Sequence, residues 1–206
     1  MVAGGVHNLA ALVLYIDTHI LDAVDDDAVA LKRLWQEGWI SLVRADVMDT
    51  ELGDAKDPAL HVSLTEASAA YPESFGVFVL DHSRLDSAVL GSSQDVSSMD
   101  LLWSLLKPGV DRQAARKNHT RDVMHVHTAI RYGGHAFVTN DRQMRKKSDS
   151  VAAEFAGFRI LSPREALQEA VARVRGVRAL HAAEPSRGEL PPWPTVEELG
   201  SMQSPP

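Results

Sequence analysis

A chain of 206 residues can hold one domain with a full core, since at this size roughly 70% of the extended-chain surface can be buried on folding. It has no cysteine, which excludes disulfides, thiolate zinc sites and cysteine nucleophiles and makes the interior of a cell, the cytoplasm, the expected compartment. The net charge of −7 argues against a nucleic-acid partner until it is mapped along the chain: Lys107 to Lys147 carries ten Lys and Arg against three Asp, an acidic body with one basic segment suited to a phosphate-binding groove.

The first apolar run, Leu9 to Ile16, is too short to cross a bilayer and has neither a basic flank nor a cleavage site, so no membrane partner is expected. Residues 11–16 read as a strand covered on both faces, ending at Asp17. From His19 to Glu37 apolar residues recur at helical spacing, with Gly38 placed to stop the helix, and Trp39 to Val43 is a second strand. Strand, helix, strand opens a parallel α/β sheet. A helix over Asp46 to Ala55 follows, then a break at Asp57-Pro58, a helix over Ala59 to Ala70, and a strand or buried extended segment over Gly76 to Leu80. Met99 to Leu106 reads as helix, stopped by Pro108-Gly109. A long helix starting near Asp111 or Arg121 reaches Tyr132 and is closed by Gly133-Gly134. His135 to Thr139 is a strand, Asp141 to Lys147 a helical turn, Phe158 to Leu161 a last strand, and Pro163 to Val174 a helix. The expected organisation is a three-layer α/β/α domain over residues 1–182 with a central, mostly parallel sheet, followed by a disordered Pro-rich tail over 183–206.

Ligands of open α/β sheets bind beyond the carboxyl ends of the strands, and Asp17 and Asp141 both stand there. Each alone is as readily a helix cap. Two further acids change the balance. Asp122 shares a helix face with His125 and Ala129, and Glu51 shares one with Val47 and Met48, so both carboxylates are expected to point inward. Asp49 is the rival to Glu51. Four clustered carboxylates need cations, and hard oxygen donors of this kind suit Mg²⁺ or Mn²⁺.

Four segments resemble the successive motifs of PIN domains, the ribonuclease domains of VapC-type toxins and of RNA-processing factors. They are Tyr15-Ile16-Asp17-Thr18, Ser41 to Glu51, Arg121 to Ala129, and Phe137-Val138-Thr139-Asn140-Asp141. The resemblance spans about residues 11–161. It implies a divalent-metal-dependent endoribonuclease in which Asp17, Glu51, Asp122 and Asp141 form the catalytic metal site, with the Thr18 and Thr139 hydroxyls behind them. An RNA substrate, an antitoxin or RNA-processing partner, and a homodimer or heteromeric complex are implied too. Many family members carry Asn two places after the first Asp, where this chain has His19. Arg121, Arg142, Arg145, Lys146 and Lys147 are the candidates to hold the phosphate backbone.

Other readings compete. His119, His125, His127 and His135 invite a zinc site, but helical zinc pairs use i, i+4 spacing, which His125 and His127 lack. His125 is expected to fill the helix face beneath the acids and the others to lie at the surface. A haloacid-dehalogenase-type phosphatase would need a second acid where His19 stands. A PIN-like module that binds RNA or protein without catalysis is the non-enzymatic alternative.

Overall fold

The structure, a computed structural model, describes residues 11–54, 56–84, 86 and 88–202. Leu9 and Ala10 of the first apolar run, and residues 203–206 of the tail, lie outside them.

Five parallel strands form one sheet: β1 (Leu12–Ile16), β2 (Ile40–Ala45), β3 (Glu73–Ser74), β4 (Ala136–Val138) and β5 (Arg159–Leu161), in the order β3-β2-β1-β4-β5. Pairs such as Leu14 with Leu42, Leu14 with Ala136 and Phe137 with Ile160 set the register. Side chains alternate across a strand, so Leu12, Leu14 and Ile16 face one layer and Tyr15 the other. The first layer holds α1 (Asp26–Gln36), α2 (Val47–Gly53), α3 (Pro58–Ala69) and, later in the chain, α8 (Pro163–Ala183). The second holds α4 (Ser93–Leu106), α5 (Lys117–Arg131), α6 (Arg142–Arg145) and α7 (Ser148–Glu154). Both faces of the sheet are thus covered, which is why the central strands β1 and β4 are apolar throughout, while the edge strand β3 is the polar pair Glu73-Ser74. This is the three-layer α/β architecture expected. Among the described residues no helix is long and apolar enough to cross a membrane.

The glycine pair after α5 has a steric cause. Gly133 takes φ +70, and a Cβ on Gly134 would lie 2.7 Å from the Tyr15 ring and 2.9 Å from the Ala129 carbonyl oxygen. The helix can therefore turn into β4 tight against β1.

Several boundaries differ from expectation, each for a local reason. The helix expected from His19 starts only at Asp26, because the Asp25 carboxylate accepts from Ala28 N–H at 3.0 Å and fixes the N-terminus there. Ile20 and Leu21 are buried from a 3₁₀ turn and a loop, while Val24 is 87% exposed. Of the two alternatives for residues 76–80 the structure shows the extended segment, buried at Gly76 and Val77 and joined to Val89 by one isolated parallel bridge, rather than a strand of the sheet. The Asp46 carboxylate takes the Gly76 N–H at 2.8 Å and Ser83 Oγ takes the Val79 N–H at 2.9 Å, so side chains capture amides a strand neighbour would need. α4 begins six residues before Met99, at a capping box of Ser92 and Asp95.

The tail is also corrected. α8 runs to Ala183, and the segment after it packs back onto the domain through α9 (Val196–Ser201). Trp193 and Leu199 join the core, the Arg33 guanidinium lies 3.9 Å from the Trp193 ring centroid, and Trp39 Nε1 donates to the Trp193 carbonyl at 2.6 Å. Arg178 and Arg175 donate to the carbonyls of Pro191 and Leu199, both at 2.9 Å. Two apolar anchors and several backbone acceptors supply what composition alone did not suggest.

Candidate metal centre

The carboxyl ends of β1 and β4 meet where the Asp17 N–H donates to the Val138 carbonyl at 3.0 Å. Asp17 makes no side-chain cap on the 3₁₀ turn that follows. Its Oδ2 instead accepts from Thr139 Oγ1 at 2.5 Å, and the same hydroxyl accepts from Asp141 N–H at 3.0 Å. Across from it, α2 presents Glu51, whose Oε2 accepts from Thr18 Oγ1 at 2.5 Å. Asp49 turns away into ion pairs with Arg44 and Arg84, so the choice of Glu51 as the inward acid follows the helix face.

α5 contributes Asp122 and, one turn on, His125. The His125 ring is 2% exposed, lies 5.6 Å from the Phe137 ring centroid, and places Nε2 3.2 Å from Glu51 Oε2. Among the described residues neither of its ring nitrogens has a hydrogen-bond partner. Ligand atoms of Asp17, Glu51 and His125 lie within 4.8 Å of one another, close enough to share one cation. Asp122 stands in the same cleft but is already paired, its Oδ2 2.5 Å from Lys107 Nζ. Asp141 lines the cleft while capping α6, its Oδ1 accepting from the N–H groups of Gln143 at 2.6 Å and Met144 at 3.2 Å. Asp141 thus caps α6 and borders the cleft, but the close group of Asp17, Glu51 and His125 forms without it or Asp122. All four acids border one cleft of about 740 Å³ at the carboxyl edge of the sheet.

The charges are interlocked. Burial pushes the Asp17 carboxyl up, but His19, the His125 charge and the Thr139 hydroxyl outweigh it and hold the group below its ordinary value. Burial likewise opposes ionisation of Glu51, and His125 with Thr18 overcomes it. His125 is held above the ordinary imidazole range, because Glu51, Asp17 and Asp122 outweigh its desolvation. Asp122 is raised, its burial exceeding the pull of Lys107. His19, 3.5 Å from Asp17, is drawn up to about 9 by that carboxylate, although a side chain 80% exposed has much of the attraction screened by water.

The residues expected to hold a phosphate backbone divide. Arg121 is 4% exposed, lines the cleft and donates to Asp54 at 2.7 Å. Arg142, Arg145, Lys146 and Lys147 lie on or just after α6 and do not border the cleft; Arg145 approaches Glu165 at 3.9 Å instead. The cleft draws its other cations from Lys107 and Arg116, with His119 beside them, all within the basic segment but earlier in the chain than expected. His127, expected at the surface, is 3% exposed, with Nε2 3.7 Å from Asp95.

The donor set fits a divalent cation: carboxylate oxygens oriented by hydroxyls, beside a buried imidazole. No protein-family model matches this chain, and no curated protein matches it in sequence. Among solved structures it is similar to VapBC2 from Rickettsia felis, a crystal structure bound to a DNA fragment from their promoter, with a TM-score of 0.41 and 11% identity over 73% of this chain and 98% of that one.

Proposed function

We propose that this chain is a PIN-like, divalent-metal-dependent endoribonuclease that hydrolyses RNA phosphodiester bonds. The observation that carries the reading is the convergence of Asp17, Glu51, Asp122 and Asp141 on one cleft beyond the carboxyl ends of a parallel sheet, with Lys107, Arg116 and Arg121 on the same walls. Those four acids would hold Mg²⁺ or Mn²⁺, which when bound supplies a Lewis acid that lowers the pKa of water and offsets phosphate charge.

The chain's own groups have separate tasks. Thr139 and Thr18 fix the orientation of Asp17 and Glu51, so that little reorganisation is needed when the cleft fills. Lys107, Arg116 and Arg121 attract the phosphate backbone, a role that makes binding fall with salt. No side chain need become a covalent nucleophile. The catalytic unit is read as residues 1–182. A VapC-like role with an antitoxin partner, a homodimer and a cytoplasmic location follow from the motif resemblance and belong to the same proposal.

The test is cleavage of a mixed single-stranded RNA pool with Mg²⁺, Mn²⁺ or EDTA, beside folded Asp17→Asn and Asp122→Asn variants. Metal-dependent cutting lost in both variants supports the nuclease. RNA binding without cutting under either metal favours the non-catalytic module, a reading to which the existing Lys107–Asp122 pair lends some weight.

A further inference from the structure

The imidazole beneath the acids is chemically out of place for a site that prefers Mg²⁺. His125 is buried, its ring rests against Phe137, its Nε2 meets Glu51 Oε2, and one of its ring nitrogens lies within 4.8 Å of carboxylate oxygens of both Glu51 and Asp17. A buried imidazole normally finds a hydrogen-bond partner for each nitrogen, yet among the described residues Nδ1 has none, and Nε2 meets the Glu51 carboxylate as an ion pair outside hydrogen-bond geometry. The Nε2 to Glu51 Oε2 separation is 3.2 Å. Two donors about 2.1 Å from one ion and at right angles to each other would stand about 3 Å apart. His125 and Asp122 are also three residues apart on α5, so one helix face carries Asp122 to the wall of the cleft and His125 to the buried side of Glu51.

We propose that His125 is a nitrogen ligand of the cation held by Asp17 and Glu51, and that the mixed nitrogen and oxygen donor set makes the centre select Mn²⁺ or a later first-row transition ion over Mg²⁺. Imidazole suits transition ions, whereas carboxylate and water alone suit Mg²⁺ as well. The inference rests on the carboxylates holding a cation, as proposed above, but not on RNA cleavage.

Electron paramagnetic resonance of the full chain titrated with Mn²⁺ tests it, because pulsed spectra resolve the strong ¹⁴N coupling of an imidazole bound to the ion from the weak coupling of nearby unbound nitrogens. The expected result is a single imidazole-type modulation that persists in His19→Ala and disappears in His125→Gln. Competition titrations should show Mn²⁺ affinity falling at least about tenfold in His125→Gln, with Mg²⁺ affinity altered much less. Bound Mn²⁺ without nitrogen modulation, or modulation lost with His19 rather than His125, overturns the inference while leaving a cation at the carboxylates. Absence of Mn²⁺ binding overturns both.

Discussion

Replacing Thr139 by Val tests the arrangement around Asp17 most directly, because the side chain keeps its volume and loses only the hydroxyl. Thr139 is fully buried, donates to Asp17 Oδ2 at 2.5 Å and accepts from Asp141 N–H at 3.0 Å. A hydrogen bond to a charged acceptor contributes about 1.5–3 kcal/mol. Asp17 keeps His19 and His125 as neighbours, so a loss near 2 kcal/mol is expected, or about 4–8 °C in Tm for a domain of this size. Thr139→Ser retains the hydroxyl and should lose only the roughly 1 kcal/mol of a buried methyl. The pH dependence has a definite sign. The bond favours ionised Asp17, whose folded pKa lies below the ordinary 3.8, so its contribution is complete above about pH 4 and disappears as pH falls through the lower folded value. Thermal unfolding of the three proteins between pH 7 and pH 3 checks this. A Val variant as stable as the parent at pH 7, or one whose deficit is unchanged at the acid end, would refute the assignment. Mn²⁺ affinity gives a second reading, expected to weaken tenfold or more in Val and to hold in Ser.

Lys107→Met removes the cation now paired with Asp122, and Mn²⁺ should then bind at least tenfold more tightly, a modest share of the roughly 4 kcal/mol that a like charge about 4 Å away can exert. Isothermal titration reads this, and equal affinities would show that Lys107 does not compete for the site. For single-stranded RNA, Arg116→Ala should reduce the slope of log affinity against log salt by about 0.7, whereas the double change Lys146→Ala with Lys147→Ala should leave it nearly unchanged, since these two lie outside the cleft. The reverse pattern would place the RNA on the α6 side. Trp193→Ala should cost about 3 kcal/mol, seen as a Tm lower by about 6–12 °C, because the ring is 9% exposed and packs in the core; a loose tail would show no change.

Local signals in the chain determined a good deal. A continuous apolar run at 12–16 and a mostly apolar one at 39–43 pointed to strands covered on both faces, and the acids closing the first strand and following β4 were legible as residues at a ligand-binding edge. Helical phase was enough to aim Asp122 inward and to separate Glu51 from Asp49, since side-chain direction on a short helix follows from its 3.6-residue period. Tertiary structure decided the rest, because it concerns which distant groups meet. Periodicity could not distinguish Ile20 and Leu21 in a loop from the same residues on a helix, since burial leaves one pattern in both cases. It could not show that Asp46 would take the amide of Gly76, that Lys107 would reach Asp122, or that the packed Trp193 would order a proline-rich tail. Nor could it give His125 more than a place on a face. Its approach to Glu51 depends on α2 and α5 packing against each other over the end of β1, a contact between segments more than sixty residues apart in the chain that no local spacing encodes.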